Sequence, residues 1–182
     1  MINRSLLACL LLILAGLQGC TTTYTNQSPV GELFPSVKGT SLSDKEYDIP
    51  EQFKGQPVLF LIGYKQASQF DIDRWLIGLD MTETKVATYE LPAIQGFVPR
   101  LFSRQIDSGM RAGIPDELWR AVITIYEDGD RVQQFTGNTN PNNARCVLLD
   151  ADSRIVYFYD RGFSVAALNE LKAALSKLGP QS

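Results

Sequence analysis

The hydrophobic pattern after residue 50 alternates between short apolar runs and stretches with helical spacing. Residues 58–62 form a continuous apolar run bounded by Pro57 and Gly63, which is typical of a strand buried on both faces. Over residues 69–81 apolar positions recur at helical spacing, which predicts a helix that begins with a capping box at residues 68–71. Its predicted buried face consists of Ile72, Trp75, Leu76 and Leu79.

Two further strands enclose a second helix. Residues 86–91 and 121–126 have the composition of strands. The helix between them is predicted over residues 98–111 and ends before Gly113. Its apolar residues on one side are Val98, Leu101, Phe102 and Ile106.

The last part of the chain predicts a hairpin and a closing helix. Residues 146–149 and 155–159 are two strands joined by a turn that begins at Asp150. Before them, residues 131–135 fit either a short helix or a strand, and periodicity does not decide between the two. Ser164 caps the last helix, whose predicted buried face consists of Val165, Leu168, Leu171 and Leu175.

In chain order these elements predict one α/β domain. Strands alternate with helices first, and a hairpin and a helix follow, which indicates a central mixed sheet with helices on both faces. The sheet is expected to be parallel in its first part, with the hairpin at one edge. Residues 20–31 are polar and include Pro29 and Gly31, which is typical of a flexible tether, so the domain is assigned to residues 32–182.

The first twenty residues form a separate unit. Arg4 precedes an apolar run over residues 6–17, and Gly19 stands directly before Cys20. These are the regions of a secretory signal, and an apolar run of about 12 residues is shorter than the ~20 that span a bilayer. The segment resembles a bacterial lipoprotein signal. The alternatives are an ordinary signal peptide and an uncleaved anchor.

The lipoprotein resemblance implies a position in the cell. It implies that residues 1–19 are cleaved and that the sulfur of Cys20 receives a diacylglycerol, with palmitate among the acyl chains expected there. Thr21 follows the cysteine, where aspartate is the retention signal in the sorting rule of enteric-type bacteria. We therefore expect a lipid-anchored chain on the periplasmic face of the outer membrane.

The amino-acid composition argues against several kinds of partner and active site. The net charge of -3 and the lack of a basic stripe argue against a nucleic-acid partner. The chain has no histidine, which removes the Ser-His-Asp and Cys-His nucleophile systems and the usual zinc ligand. Cys9 leaves with the signal and Cys20 is the predicted lipid site, so Cys146 has no partner for an intramolecular disulfide.

Metal and cofactor sites are not expected. Asp150 and Asp152 are spaced as in some calcium sites, but the next residues supply no further oxygen ligands, so turn chemistry is favoured. Asp71 and Asp73 stand at a helix start, where acidic residues suit the helix dipole. We therefore predict no metal site and no cofactor.

Short motifs, taken with the order of elements, resemble the thioredoxin-like superfamily in its peroxiredoxin and thiol-disulfide-reductase branch. The resembling segments are Phe34-Pro35, Ser41-Leu42, residues 53–60 and residues 147–162. The chain is also similar to the thioredoxin-like assembly factor of mitochondrial ATP synthase, through Phe34-Pro35, Gly39, Ser41-Leu42, residues 66–69, Trp75 and the hairpin over residues 146–155. The resemblance implies a three-layer thioredoxin-like sandwich.

The redox residues of that superfamily are missing. Its active site places Cys-x-x-Cys, or one peroxidatic cysteine, between the first strand and the first helix, where the helix N-terminus lowers the thiol pKa. At that place this chain has residues 64–69, which contain no sulfur. The superfamily's cis-proline position falls near Ala144-Arg145, again with no proline. Thiol chemistry is therefore not expected.

The former active-site turn is the first candidate for binding. Lys65, Gln66, Ser68 and Gln69, with Arg145, can present polar groups and free helix N–H donors to an acidic or carbonyl-bearing ligand. The alternative is that Ser68 only caps the helix and the others are solvated.

We expect a non-enzymatic envelope lipoprotein whose redox-inactive domain binds or helps assemble another envelope protein. One alternative is a thioredoxin-fold oxidoreductase that uses Cys146, which requires an exposed thiol with a lowered pKa. Cys146 begins an apolar strand, which favours core packing instead. The other alternative is a small-ligand binding protein, which requires a deep pocket lined by Tyr64, Lys65 and Arg145.

Overall fold

The structure, a computed structural model, describes residues 22–179, so the predicted signal peptide and Cys20 lie outside the described residues. Within that range the strands are β1 Val37–Ser41, β2 Glu46–Ile49, β3 Val58–Gly63, β4 Ala87–Pro92, β5 Ile123–Thr124, β6 Arg145–Leu149 and β7 Ile155–Tyr159. The α-helices are α1 Gln69–Met81, α2 Phe97–Leu101, α3 Ser103–Gly113, α4 Gly129–Thr136 and α5 Val165–Ser176. Short 3-10 turns occupy Glu51–Phe53, Gln66–Ser68 and Asp116–Ala121.

A four-stranded mixed sheet runs through the middle of the domain, in the order β4-β3-β6-β7. β3 pairs in parallel with β4 and antiparallel with β6, which pairs antiparallel with β7. Every residue of β3 is buried, because strands flank it on both sides and both faces of the sheet are covered. The predicted mixed sheet, with its antiparallel hairpin at one edge, is confirmed.

Helices α1 and α5 cover one face of this sheet. Trp75 on α1 is fully buried there, and its ring packs edge-on against Phe163, with 5.3 Å between ring centroids. Its indole N–H donates a 2.8 Å hydrogen bond to the carbonyl of Gly162. The core on this face also contains Leu59, Leu61, Ile72, Leu79, Cys146, Leu148, Leu168 and Leu171.

The other face is covered by α4 and by a small sheet in the order β2-β1-β5. The strand expected over residues 121–126 is only two residues long, and it pairs with β1 in this small sheet. Only isolated bridges at Val122 and Ile125 connect it to the β4 side. The segment expected to be helix or strand at 131–135 is helix α4.

Helix α1 has the predicted bounds, but two details of its prediction are wrong. Leu76, expected in the buried face, is 39% exposed, whereas Ile72, Trp75 and Leu79 are buried. The capping box does not form, because the preceding 3-10 turn holds Ser68 in a helical conformation, with φ −69° and ψ −17°. An N-cap side chain needs an extended backbone to reach the first helical N–H groups.

The last helix has its predicted cap. The hydroxyl of Ser164 accepts a 3.1 Å hydrogen bond from the N–H of Ala167. Leu168, Leu171 and Leu175 are buried as predicted. Val165 is exposed instead, because Phe163 packs against the core at this end of the helix.

The predicted tether is hydrogen-bonded to the domain over its described part. The N–H of Tyr24 donates to Asn138 Oδ1 at 2.7 Å, and the N–H of Asn138 donates back to the carbonyl of Tyr24 at 2.9 Å. Gly137 has φ +78°, and a Cβ there would overlap the backbone of Asn26. Residues 22–31 therefore follow the surface of the domain, and the tether over residues 20–31 stays a prediction.

The second predicted helix is divided at Phe102 into α2 and α3, and its apolar side is exposed. A helix with one apolar side ordinarily turns that side to the core. Across residues 22–179, no helix is long and apolar enough to cross a membrane.

Replacing Trp75 tests the core packing. Trp75→Ala should lower the free energy of unfolding by roughly 3–5 kcal/mol, because it empties a fully buried aromatic site and leaves the carbonyl of Gly162 without its donor. Leu76→Ala is the matched control on the same helix, with an expected change below about 1 kcal/mol. Urea unfolding of both variants measures the difference, and equal effects would contradict the observed helix orientation.

Candidate functional site

The turn between β3 and α1 occupies the place where the sequence predicted it. Lys65 and Gln66 are exposed, Gln69 is partly buried, and Ser68 and Arg145 are buried. The structure therefore brings Lys65 and Gln66 to the surface, but it does not present the other predicted site residues in the same way.

Ser68 has a structural role. Its hydroxyl donates a 2.6 Å hydrogen bond to the carbonyl of Lys65, and its N–H donates to the same carbonyl at 3.0 Å. The N–H of Gln69 donates to the carbonyl of Gln66, because the 3-10 turn continues directly into the helix. The backbone donors of Ser68 and Gln69 are thus used within the turn. The hydroxyl of Ser68 is likewise used within the turn, and its contact with a ligand stays a prediction.

Gln69 connects the turn to a buried carboxyl that the sequence analysis missed. Its amide nitrogen donates to Asp73 Oδ1 at 3.0 Å and to Glu90 Oε2 at 3.3 Å. Glu90 is only 8% exposed, and burial raises its pKa to about 7, although the hydrogen bond from Gln69 opposes this shift. The sequence does contain a signal for this buried carboxyl, because Glu90 is the one acidic residue within an otherwise uncharged strand sequence.

Arg145 lies beneath the site as a fully buried cation. Its guanidinium stacks over the ring of Tyr64, 4.4 Å from the centroid. It donates to the carbonyls of Asn143 and Asn140 at 2.6 and 2.9 Å and to that of Gly137 at 3.2 Å. Burial lowers the pKa of Arg145. Arg145 therefore holds the loop over residues 137–143, and its contact with a ligand stays a prediction.

Tyr64 fills the remaining space at the end of β3. Its hydroxyl is hydrogen-bonded to the hydroxyl of Thr136 on α4. Burial raises the pKa of Tyr64 to about 12, and the nearby charge of Arg145 only partly opposes the shift. The phenol is consequently neutral at physiological pH and serves as packing between the sheet and α4.

Two surface grooves lie elsewhere. A groove of about 740 Å³ is lined by residues 55–57, 84–87 and 150–152, where β3 and β4 begin and where the β6–β7 turn lies. A second one, of about 460 Å³, lies beside Tyr47 and Tyr89. Neither includes Tyr64, Lys65 or Arg145, which the small-ligand alternative requires.

Cys146 is fully buried between the sheet and helices α1 and α5, as predicted. Burial raises the pKa of its thiol well above the ordinary value. A reactive thiol needs the opposite, namely exposure and a lowered pKa. The Ala144–Arg145 peptide is trans, and the cis peptide of the described chain lies at Ile49–Pro50.

The acidic pair after β6 forms the predicted turn. Asp150 Oδ1 accepts hydrogen bonds from the N–H groups of Asp152 and Arg154, at 3.0 and 2.9 Å. Within residues 22–179, no three or more histidine, cysteine, aspartate or glutamate side chains lie together as a metal site would require.

Solved structures identify the fold. The chain superposes on BsSco, a member of the Sco family of cytochrome c oxidase assembly proteins in which a disulfide switch was identified, with a TM-score of 0.59 and 10% identity over 86% of this chain and 99% of that one. A SCO1/SenC family lipoprotein from Bacillus anthracis str. Ames gives a TM-score of 0.58 and 10% identity, over 86% and all 100% of the two chains. A thiol peroxidase from Chromobacterium violaceum gives 0.56 and 13%, over 86% and 92%.

These likenesses show a thioredoxin-like fold. No protein-family model and no curated protein matches the chain. At 10–13% identity the structural neighbours establish the fold alone, so function must be argued from the residues of this chain.

The buried carboxyl of Glu90 predicts a pH-dependent stability. Its folded pKa of about 7 lies above the ordinary value of 4.5, so the folded state binds the proton more tightly than the unfolded state. The free energy of unfolding should therefore fall as pH rises from about 4.5 through 7. Glu90→Gln should remove this loss and be more stable than the wild type at pH 8 by up to about 3 kcal/mol.

Urea unfolding at pH 4.5 and pH 8 measures this effect. The exposed Glu170→Gln makes the same change of charge and should keep the wild-type pH profile. Parallel profiles for the wild type and Glu90→Gln would show that Glu90 is ionised at no cost in the folded state.

Proposed function

We propose that this protein is a bacterial envelope lipoprotein, anchored through Cys20, whose thioredoxin-like domain binds or helps assemble another envelope protein without thiol chemistry. One observation carries the proposal. The turn that would hold the redox cysteines has Lys65 and Gln66 at its surface. Cys146 is fully buried, and it lies on the opposite face of the sheet from Tyr64. The domain keeps the fold but lacks an accessible thiol in its described part.

The burial of the Cys146 thiol argues against catalysis by this residue. A thiol attacks as the thiolate, which requires exposure and a lowered pKa. Burial gives Cys146 a raised pKa and no access to a substrate. The oxidoreductase alternative therefore has no supporting geometry. The small-ligand alternative lacks it as well, since Tyr64 and Arg145 fill the space that a ligand would need.

A protein partner fits the exposed groups better. The ammonium of Lys65 and the amide of Gln66 are directed to solvent on a turn that Ser68 and the 3-10 geometry hold in place. Such groups recognise carboxylates and carbonyls on another surface. Two proteins of similar fold are consistent with anchoring and assembly, since one is a lipoprotein and the other belongs to a family of assembly proteins. This support is an analogy of fold.

The anchor and its membrane are part of the proposal. The signal-like segment and Cys20 favour a lipoprotein, and Thr21 favours the periplasmic face of the outer membrane. Stable anchoring needs two or three acyl chains, because a single chain binds only marginally.

Substitution of the predicted lipid site tests the anchor. Cys20→Ala should abolish incorporation of labelled palmitate and leave a precursor of higher mass, because the sulfur that carries the diacylglycerol is gone. Cys146→Ala is the control and should be acylated and processed normally. Normal acylation of Cys20→Ala would contradict the anchor, and recovery of the wild type wholly in the inner membrane would contradict the outer-membrane assignment alone.

Assays on the purified acylated chain test the absence of thiol chemistry. We expect no reduction of insulin and no consumption of peroxide, because Cys146 is inaccessible. Activity that Cys146→Ser abolishes would overturn the proposal in favour of the oxidoreductase. Residual activity that survives this substitution comes from a contaminant and leaves the expectation intact.

Photo-crosslinking in cells tests the proposed contact between the turn and a partner protein. A benzophenone side chain at Gln66 should give a discrete crosslinked species in the wild type and in Cys146→Ser, and reducing agents should not release it. The control position is the exposed Lys85, just before β4 begins and therefore at the opposite edge of the sheet. Crosslinks that are equal at both positions, or absent at both, would contradict a partner site at the turn.

A further inference from the structure

Helix α2 and Phe102, the residue that joins α2 to α3, carry an apolar stripe that nothing in residues 22–179 covers. Phe97, Val98, Leu101 and Phe102 are 71%, 46%, 63% and 53% exposed. They occupy neighbouring positions on adjacent turns, so they form one surface. Apolar residues scattered singly on a surface are ordinary, but a contiguous patch of large side chains marks an interaction site.

The inner side of these helices is fixed to the domain by polar contacts. Arg100 donates to the carbonyls of Tyr126 and Glu127 at 2.9 and 2.7 Å. The hydroxyl of Tyr126 donates to Asp107 at 2.8 Å, and Arg111 donates to the carbonyl of Leu42 at 2.7 Å. The stripe is therefore held outward by hydrogen bonds on the opposite side of the helices.

Arginines lie beside the stripe, although the whole chain has a net charge of -3. Residues 97–113 contain three arginines and one aspartate, and of the arginines Arg111 forms an ion pair with Asp44 at 2.7 Å. Arg104 is exposed and forms no ion pair with any residue in the described range. An apolar face flanked by arginine is the composition of a helix that lies in the interface of a membrane with anionic lipids.

The described chain begins directly beside this stripe. The carbonyl of Thr22 accepts a 3.1 Å hydrogen bond from the side-chain amide of Gln95, which stands two residues before α2. It also accepts one of 2.9 Å from the side-chain amide of Asn138. Cys20 is two residues before Thr22, and two residues span at most about 7 Å. Acyl chains on Cys20 would thus enter the bilayer close to α2.

We propose that the stripe on α2 and Phe102 docks on the surface of the bilayer in which the acyl chains of Cys20 are inserted. The inference rests on the proposed lipid anchor, because the anchor fixes which surface the stripe meets. The occupant is an anionic phospholipid bilayer, into whose headgroup region Phe97, Leu101 and Phe102 insert while Arg104 meets lipid phosphates.

Docking in this way also orients the candidate binding turn. β3 and β4 are parallel, with Gly63 paired to Pro92, so the turn after β3 and the loop that leads into α2 leave the sheet at the same edge. Lys65 and Gln66 would then lie on the membrane side of the domain. A partner that contacts them is accordingly a membrane protein, or one held at the membrane surface.

A fluorescent probe at position 101 tests the docking. The full acylated chain carries Leu101→Cys, labelled with an environment-sensitive fluorophore, in vesicles of phosphatidylethanolamine and phosphatidylglycerol. Acylation blocks Cys20 and burial protects Cys146, so the new thiol is labelled selectively. We expect a blue-shifted emission that brominated lipids quench by at least about twofold. Ile77→Cys is the matched control, 58% exposed on α1, and should be neither shifted nor quenched.

The outcomes separate the docking from the anchor. A chain that floats with the vesicles but whose position-101 probe is unquenched overturns the docking and leaves the anchor intact. A blue shift without lipid quenching also overturns it, since a second copy or another protein surface then covers the stripe. A chain that is neither acylated nor vesicle-bound overturns the proposed anchor and, with it, the docking.

Charge reversal gives a second test that does not disturb the stripe. Arg104→Glu should reduce the quenching at position 101 by at least about twofold in phosphatidylglycerol-containing vesicles and have little effect in vesicles of phosphatidylcholine alone. Lys85→Glu makes the same change at the opposite edge of the sheet and should have no effect. Equal effects of the two substitutions would contradict a specific contact of Arg104 with lipid.

Discussion

The arrangement of the residues around the candidate binding turn depends on the buried guanidinium of Arg145. A buried cation needs hydrogen-bond acceptors, and here the two terminal nitrogens of the guanidinium donate to carbonyls at both ends of the loop over residues 137–143, while Nε has no hydrogen-bond partner within residues 22–179. The same group stacks on Tyr64 at the start of the turn over residues 64–69. One side chain thus packs against the end of β3 and fixes the loop over residues 137–143.

The loop held by Arg145 in turn determines where the chain enters the domain. Asn138 exchanges backbone and side-chain hydrogen bonds with Tyr24 and Thr22, and its amide also donates to Gln133 Oε1 at 2.7 Å. Gln133 is anchored by a 2.9 Å bond to the carbonyl of Ala93. These contacts connect the start of the described chain to the end of β4, and they explain why the predicted tether follows the surface.

The sequence predicted those parts of the fold whose apolar pattern is dense. β3, α1 and the hairpin over residues 146–159 were found because burial on one or both faces leaves a clear periodicity. β1 and β2 were missed, since they are only five and four residues long and two of the buried positions of β1, Gly39 and Ser41, are not apolar. The site was harder to predict. Ser68 and Arg145 were expected at a surface because they are polar, but their burial depends on carbonyls that only the folded chain brings near.

The proposed contact with a partner falls on the surface of the domain. Tyr64 and Arg145 fill the space between the end of β3, helix α4 and the loop before β6. The groups that remain accessible, Lys65 and Gln66, lie at the sheet edge from which β4 continues toward α2. If this edge faces the bilayer, lipid and partner are met on one side of the domain. Diffusion of an anchored protein is confined to that plane, so even a shallow polar turn would meet its partner at a high effective concentration.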